Sequence, residues 1–361
     1  MYNVYYIESA KLNIFFNHLK KAFKVFSPVI KEESAGKKEK KEPDYYYQNP
    51  AAEAPFVYNP YRAVEPLKSF YTYPYEKVTD YFTPGKNITE LTDRAVIFGV
   101  KSCDIAGHKV QDFVFLEGVE VDSSYRLRRE NTLWVSGDCT NFKNVCHCLA
   151  WDILPYPTEG FDLNLFPLND GYLVEVGSKK GQGLIDEYNK YFFPAKDSQL
   201  SARRVKRENL LERLKKHLLS QNLVSKESVQ RLVKEGWSLD TWREFMLTCV
   251  ECGGCNLICD TCHCFLLADK KEDSQSQNKK VRVWDSCLYA NYARVAGGAN
   301  PLKTRAQRLR NRFMKKFDFF VDNLGVPACC GCGRCIEVCP GKIDIREVLK
   351  DLAKRLNKTK A

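Results

Sequence analysis

An α+β fold is predicted from three features of this 361-residue chain: short β-rich apolar runs between Arg94 and Val176, helical periodicity from Ser201 onward, and two matching cysteine runs in the second half. Residues 1–200 read as an N-terminal α/β domain, and residues 201–361 as a helical domain built around the cysteines.

Within the first domain, Glu8 to Phe26 carries Leu12, Phe15, Phe16, Leu19, Phe23 and Phe26 at close to helical period, which predicts an amphipathic helix. A mixed-charge run near 31–44, ending before Pro43, has almost nothing to bury and reads as a solvated insertion. Tyr45 to Phe82 is dense in Tyr and Pro, favouring extended and turning backbone with aromatic packing. Strands are expected at 95–100, 132–136 and 172–176, and helices at 106–116 and 183–193. In the second domain the apolar period gives helices over 203–219, after a cap at Ser225, and over 239–248 after a cap at Ser238. A basic helix over 304–319 and a closing helix over 343–356 complete the series.

The cysteine runs are Cys249-x-x-Cys252-x-x-Cys255-x-x-x-Cys259 and Cys329-x-x-Cys332-x-x-Cys335-x-x-x-Cys339-Pro340. Thiolates at i, i+3 and i+6 let one loop bind three irons of a cubane, while the cysteine four places on faces away and ligates the other cluster. The expected ligand sets are therefore Cys249, Cys252, Cys255 and Cys339 for one 4Fe-4S cluster, and Cys329, Cys332, Cys335 and Cys259 for the second. Zinc, the competing metal, has no use for a third regularly spaced cysteine in each run. The 69 residues from 260 to 328 are too many for a small β-hairpin ferredoxin and point to a helical two-cluster domain.

Cys103, Cys139, Cys146 and Cys148 are the remaining cysteines before residue 249. The last two stand at i and i+2, so in an extended segment they face the same way, and the four are candidates for a third Fe-S cluster, with zinc or inert buried thiols as the alternatives. His147, between the pair, should point away, which disfavours a Rieske-type centre. Cys262, Cys264, Cys287 and Cys330 read as packing thiols beside the clusters, able to tune them through weak hydrogen bonds.

Sixteen cysteines in a chain long enough to bury its own core fit metal ligation in a reducing, cytoplasmic compartment better than a disulfide scaffold. Met1 to Phe26 has neither the apolar core nor the cleavage site of a signal peptide, and no stretch approaches a membrane span. The formal charge of +11 falls to roughly +5 with three clusters counted at about −2 each, too small an excess to argue for nucleic acid. The basic helix, with Leu302, Leu309, Phe313 and Phe317 as its apolar stripe, reads as a solvated or cluster-neutralising face. Lys180-Gly181-Gln182-Gly183 lacks the third Gly of a dinucleotide fingerprint. With no P-loop, catalytic triad or carboxylate pair in view, electron movement is the expected chemistry, without a substrate site.

Ordered motifs extend across nearly the whole chain: Tyr58-Asn59-Pro60-Tyr61-Arg62, Phe98-Gly99-Val100-Lys101-Ser102-Cys103-Asp104, Arg128-Arg129-Glu130-Asn131-Thr132, Gly171 to Gly177, Thr261-Cys262-His263-Cys264-Phe265, Trp284-Asp285-Ser286-Cys287, Ala296 to Pro301, and Gly331-Cys332-Gly333-Arg334-Cys335. Together they resemble the iron-sulfur β subunit of cytoplasmic NiFe sulfhydrogenases and the related A subunit of anaerobic sulfite reductase. The resemblance implies an electron conduit between a flavin subunit that handles NAD(P) and the large and small NiFe hydrogenase subunits, or sulfite reductase subunits in the second branch. Two departures stand out: Asp260 replaces the usual Pro after Cys259 and puts an acid near the second cluster, where it could lower the potential, and Cys330 replaces a small apolar residue.

Overall fold

Along residues 95–98 and 132–137 every second side chain turns to the same side of a sheet, both sides are buried, and an irregularity at Gly99 returns Val100 to the side of Ile97. Val96, Phe98, Leu133 and Val135 meet one apolar layer, while Ile97, Val100 and Trp134 meet another. This double burial makes the first half a three-layer α/β unit. The computed structural model describes residues 3–30, 42–51, 54–80, 93–271 and 278–360, and the charged insertion expected near 31–44 lies outside them over 31–41.

The strands are β1 (Val4–Glu8), β2 (Lys24–Ile30), β3 (Tyr45–Gln48), β4 (Tyr75–Asp80), β5 (Ala95–Val100), β6 (Thr132–Gly137), β7 (Leu163–Pro167), β8 (Gly171–Val176), β9 (Phe193–Pro194), β10 (Phe265–Lys271) and β11 (Asn278–Trp284). An eight-stranded sheet runs β3-β2-β5-β6-β7-β8-β1-β9, with β2, β5, β6 and β7 mutually parallel and the remaining pairs antiparallel. Helix α1 (Ser9–Ala22) lays Leu12, Phe15, Phe16 and Leu19 on one face of it. Helices α2 (Ser102–Leu116) and α3 (Ser123–Glu130) cover the other with Ile105, Phe115 and Tyr125, and α4 (Lys179–Glu187) joins the α1 layer through Leu184 and Ile185.

Helix α5 (Asp197–Gln221) runs along the first half, tied by Arg203 to Glu175 at 3.0 Å and by Arg207 to Asp138 at 2.6 Å. Beyond it, α6 (Lys226–Glu235), α7 (Thr241–Phe245), the short α8 (Gly254–Leu257), α9 (Arg305–Met314), α10 (Phe320–Leu324), α11 (Arg334–Glu337) and α12 (Ile345–Lys360) make up a helical half. Its core gathers Val229, Leu232, Val233, Trp242, Leu309, Phe313, Val348 and Leu352, with Cys249, Cys255, Cys329 and Cys335 packed at its edge. No helix among the described residues is long and apolar enough to cross a membrane.

Several expectations change. The helix foreseen over 8–26 stops at Ala22, and Lys24–Ile30 becomes β2, because the β-branched Val25, Val29 and Ile30 and the helix-breaking Pro28 suit a strand next to β5. Ser238 ends a 3-10 turn instead of capping a helix, and Asp240 takes the cap position of α7. Ser225 does stand at the start of α6, but its hydroxyl donates to Ser228 Oγ and not to a backbone acceptor. The second half is also not purely helical. Its β10 and β11 form a hairpin whose β11 pairs with β4, so residues 75–80 and 265–284 share one three-stranded sheet.

Candidate iron-sulfur centres

Both cysteine runs fold into the same loop. Glu251 and Gly331, each just before the second cysteine, have φ of 57° and 62°, and Gly253 and Gly333, just after it, have φ of 72° and 74°. Two left-handed residues around one cysteine curl the chain tightly, then a four-residue helix, α8 or α11, carries the third cysteine of each run. Backbone amides turn inward with the thiols, and Glu251 N–H donates to Cys249 Sγ at 3.4 Å and Ile343 N–H to Cys339 Sγ at 3.3 Å. Glu251 holds its left-handed backbone while its carboxylate pairs with Arg308.

Cys249, Cys252 and Cys255 of the first run line one apolar-walled cavity of about 40 Å³ together with Cys335 and Cys339 of the second. Cys329, Cys335 and Cys332 each lie near Cys259, so that thiolate charge on one bears on the other. Among the described residues no three His, Cys, Asp or Glu side chains converge closely enough to hold a single ion.

Six buried cations surround these thiols. Lys316 Nζ donates to Cys259 Sγ at 3.3 Å and to Thr261 Oγ1 at 2.8 Å, and Arg312 Nε donates to Asn256 Oδ1 at 2.8 Å beneath Cys255. Arg62 Nε donates to the Cys332 carbonyl at 2.9 Å, and Lys68 Nζ to the carbonyls of Asn256 and Cys262 at 3.0 and 2.9 Å. Lys101 and Arg334 complete the set. Burying a cation costs several kcal/mol unless an anion is close, so these side chains fit a centre that is negative overall. Against burial, thiolates including Cys255 and Cys259 hold Arg312 and Lys316 charged well above their usual ranges. On the basic helix, Arg312 and Lys316 thus take the neutralising role, while Arg305 faces solvent. Arg62 and Lys68 reach these thiols from the first half of the chain, and Lys101 lies beside Cys139 and Cys103 within that half.

Asp260 is fully buried and points into an ion pair with Arg334 at 2.9 Å, while also accepting from the Lys68 N–H at 3.0 Å. The same guanidinium meets Asp104 at 2.7 Å, so one cation serves two carboxylates. Burial, and the second carboxylate after it, push the Asp260 pKa up. The acid that follows Cys259 is therefore compensated by Arg334.

The third set also gathers. Cys146 bears on Cys139, both bear on Cys148, and Cys139 bears on Cys103. Burial raises all four thiols, Cys139 to about 12. The segment is not extended as expected: His147 has φ −144° and ψ 32°, and Cys148 opens a 3-10 turn. His147 Nδ1 meets the Val145 carbonyl at 3.0 Å, its ring lies beside Trp151, and burial lowers its pKa to about 4. This set abuts the second one. The His147 N–H donates to the Gly331 carbonyl at 2.8 Å, and Cys103 packs with Cys330 and Cys332.

Three of the four other cysteines, Cys262, Cys287 and Cys330, bear on expected ligands, and Cys264 lies beside Cys287. Cys262 shares a hydrogen bond with Cys259, and Cys330 with Cys332; each holds its neighbour's pKa down, Cys332 to about 6. Asn256 Nδ2 donates to Cys287 Sγ at 3.1 Å, and Cys264 meets the Tyr292 hydroxyl at 3.6 Å.

Residues 248–343 match the family described as 4Fe-4S dicluster domain. Over 347 residues, 95% of this chain and 96% of the relative, the sequence is 31% identical to sulfhydrogenase 2 subunit beta of Pyrococcus furiosus.

Proposed function

Because the chain belongs to the family of that sulfhydrogenase beta subunit and carries a 4Fe-4S dicluster domain, we propose that it is a non-catalytic electron-transfer subunit of a cytoplasmic NiFe hydrogenase. In this reading it relays electrons between an NAD(P)-linked flavin subunit and the hydrogenase large and small subunits. One 4Fe-4S cluster is held by Cys249, Cys252, Cys255 and Cys339, and a second by Cys329, Cys332, Cys335 and Cys259. A third is held by Cys103, Cys139, Cys146 and Cys148. When bound, such clusters supply one-electron transfer at low potential. The residues of this chain position the thiolates, exclude water with the apolar wall of Met246, Leu309, Phe313 and Ile345, and balance charge through Arg62, Arg312 and Lys316.

The observation that carries the reading is a cavity lined by thiols of both runs, Cys249, Cys252 and Cys255 of the first with Cys335 and Cys339 of the second. Protein purified without oxygen should hold about twelve irons, or about eight without the third cluster. Zinc in place of iron would overturn the proposal. Purification of the native complex should recover a flavin subunit with hydrogenase large and small subunits, and hydrogen should reduce NAD(P) through it. Recovery of a sirohaem sulfite reductase subunit instead would move the chain to the sulfite reductase branch.

A further inference from the structure

Cys139 is not only part of the third thiol set; it also lies on the wall of a surface cleft of about 440 Å³. Lys206, Arg207 and Arg213 of α5 line that cleft, with Phe166 and Leu168 at its apolar side. The three cations differ in their commitments. Arg207 is already matched by Asp138 at 2.6 and 3.0 Å. Lys206 lies over the Phe166 ring at 5.8 Å, and Arg213 donates to the neutral Asn141 Oδ1 at 3.0 Å. Among the described residues neither Lys206 nor Arg213 has a carboxylate partner. Both are exposed, and they stand beside a redox ligand candidate, on an apolar floor.

We propose that this cleft docks an acidic segment of a partner subunit and so makes the third thiol set a port for electron exchange. The inference rests on the third-cluster reading above. Charge complementarity selects the occupant: two uncompensated cations attract carboxylates, and Pro167 and Leu168, both partly exposed, offer the dry contact that a stable subunit interface adds to charge. Tunnelling falls steeply with distance, so a partner seated over Cys139 is placed better than one seated on the sheet's far edge.

A carbodiimide, which joins an amine to a carboxylate without a spacer, tests the contact in the native complex. The expected product links Lys206 to an Asp or Glu of another subunit, and acetylation of Lys206 should be suppressed in the complex relative to the isolated chain. K206E/R213E should keep its iron content and cluster spectra but lose that subunit at a salt concentration the natural complex survives. Equal acetylation of Lys206 in complex and isolated chain, or a K206E/R213E complex with every subunit retained, overturns the proposal. So does protection of Lys206 by inorganic phosphate with no cross-link, which would make the cleft a free-anion site. An iron content of about eight in the natural chain would strike the third cluster alone, leaving the cross-link to report on docking separately.

Discussion

Lys316 is the residue at which charge bears most directly on the proposed second cluster, through its 3.3 Å contact with Cys259 Sγ. A cation stabilises the more negative, reduced state, so Lys316→Met should make that cluster harder to reduce. A differential of about 1.4 kcal/mol between the oxidation states corresponds to about 60 mV toward more negative potential. Redox titration followed by electron paramagnetic resonance checks it, and an unchanged potential would remove Lys316 from the tuning role. His108 gives a second, independent readout. Fully buried among Tyr71, Tyr125 and Trp134, it has no hydrogen-bond partner on either ring nitrogen, and burial holds its pKa well below 6.5. The folded state keeps it neutral while the unfolded chain protonates it, so its contribution is complete above pH 6.5 and is lost as pH falls below that. The slope is about 1.4 kcal/mol per pH unit. Denaturant titrations at pH 7.5 and pH 5.5 should show His108→Phe losing less stability on acidification than the natural protein. Lys316 was legible only as one charge of a basic helix, and His108 not at all, because a lone His carries no signal until the fold brings distant elements onto it. The cysteines were legible because their spacing is itself the loop.

Between elements, the tightest junction is where the second cysteine loop meets the turn at Val145 to Cys148. A Cβ at Gly331 would lie 2.5 Å from the Cys148 nitrogen, and one at Gly333 would lie 2.5 Å from the Val145 carbonyl oxygen. Both glycines also have left-handed backbones, which cost other residues about 1–2 kcal/mol before any clash. Gly331→Ala should therefore force the two loops apart and disturb the second and third centres together, leaving the Cys249 loop intact. Iron analysis with spectra of each cluster checks this, and loss confined to one centre would break the proposed adjacency. Gly253 serves as the comparison, since a Cβ there would first meet the Tyr289 side chain, at 2.7 Å, and not backbone. The glycines around Cys332 were visible in the sequence, but their second partner was not. Contact with residues almost two hundred positions upstream leaves no local pattern. The β10–β11 hairpin escaped for another reason: Leu266 and Leu267 are exposed, and the alternation in Val281, Arg282 and Val283 is too short to compete with the helical periods on either side.

Across the whole molecule, the two halves are joined by shared structure as well as by covalent sequence. β4 completes the sheet of the hairpin, Glu76 of β4 pairs with both Arg128 and Arg282, and Arg334 links Asp104 of α2 to Asp260. The proposed ligation is also crossed, since Cys339 is grouped with Cys249, Cys252 and Cys255 from ninety residues upstream. Cys339→Ser should accordingly perturb the cluster of the first run, and spectral loss restricted to the cluster of Cys329, Cys332 and Cys335 would refute that grouping. Removing all iron has a larger expected consequence. Metal binding is folding free energy when the site does not persist without it, and here Cys255, whose pKa burial raises, regains a proton once the metal leaves and strips Arg312 of a counter-charge, while Lys316 keeps Cys259. A buried cation that loses its anion is costly, so the helical half should loosen together with β4, which is held by the hairpin. The parallel core of β2, β5, β6 and β7 depends on apolar burial and should remain. Amide exchange after anaerobic chelation distinguishes these regions: fast exchange over 75–80, 249–271, 278–284 and 305–339 with continued protection over 95–100 and 132–137 is expected. Uniform protection would mean that the cations are satisfied without the metal, and uniform exchange that the first half depends on it as well.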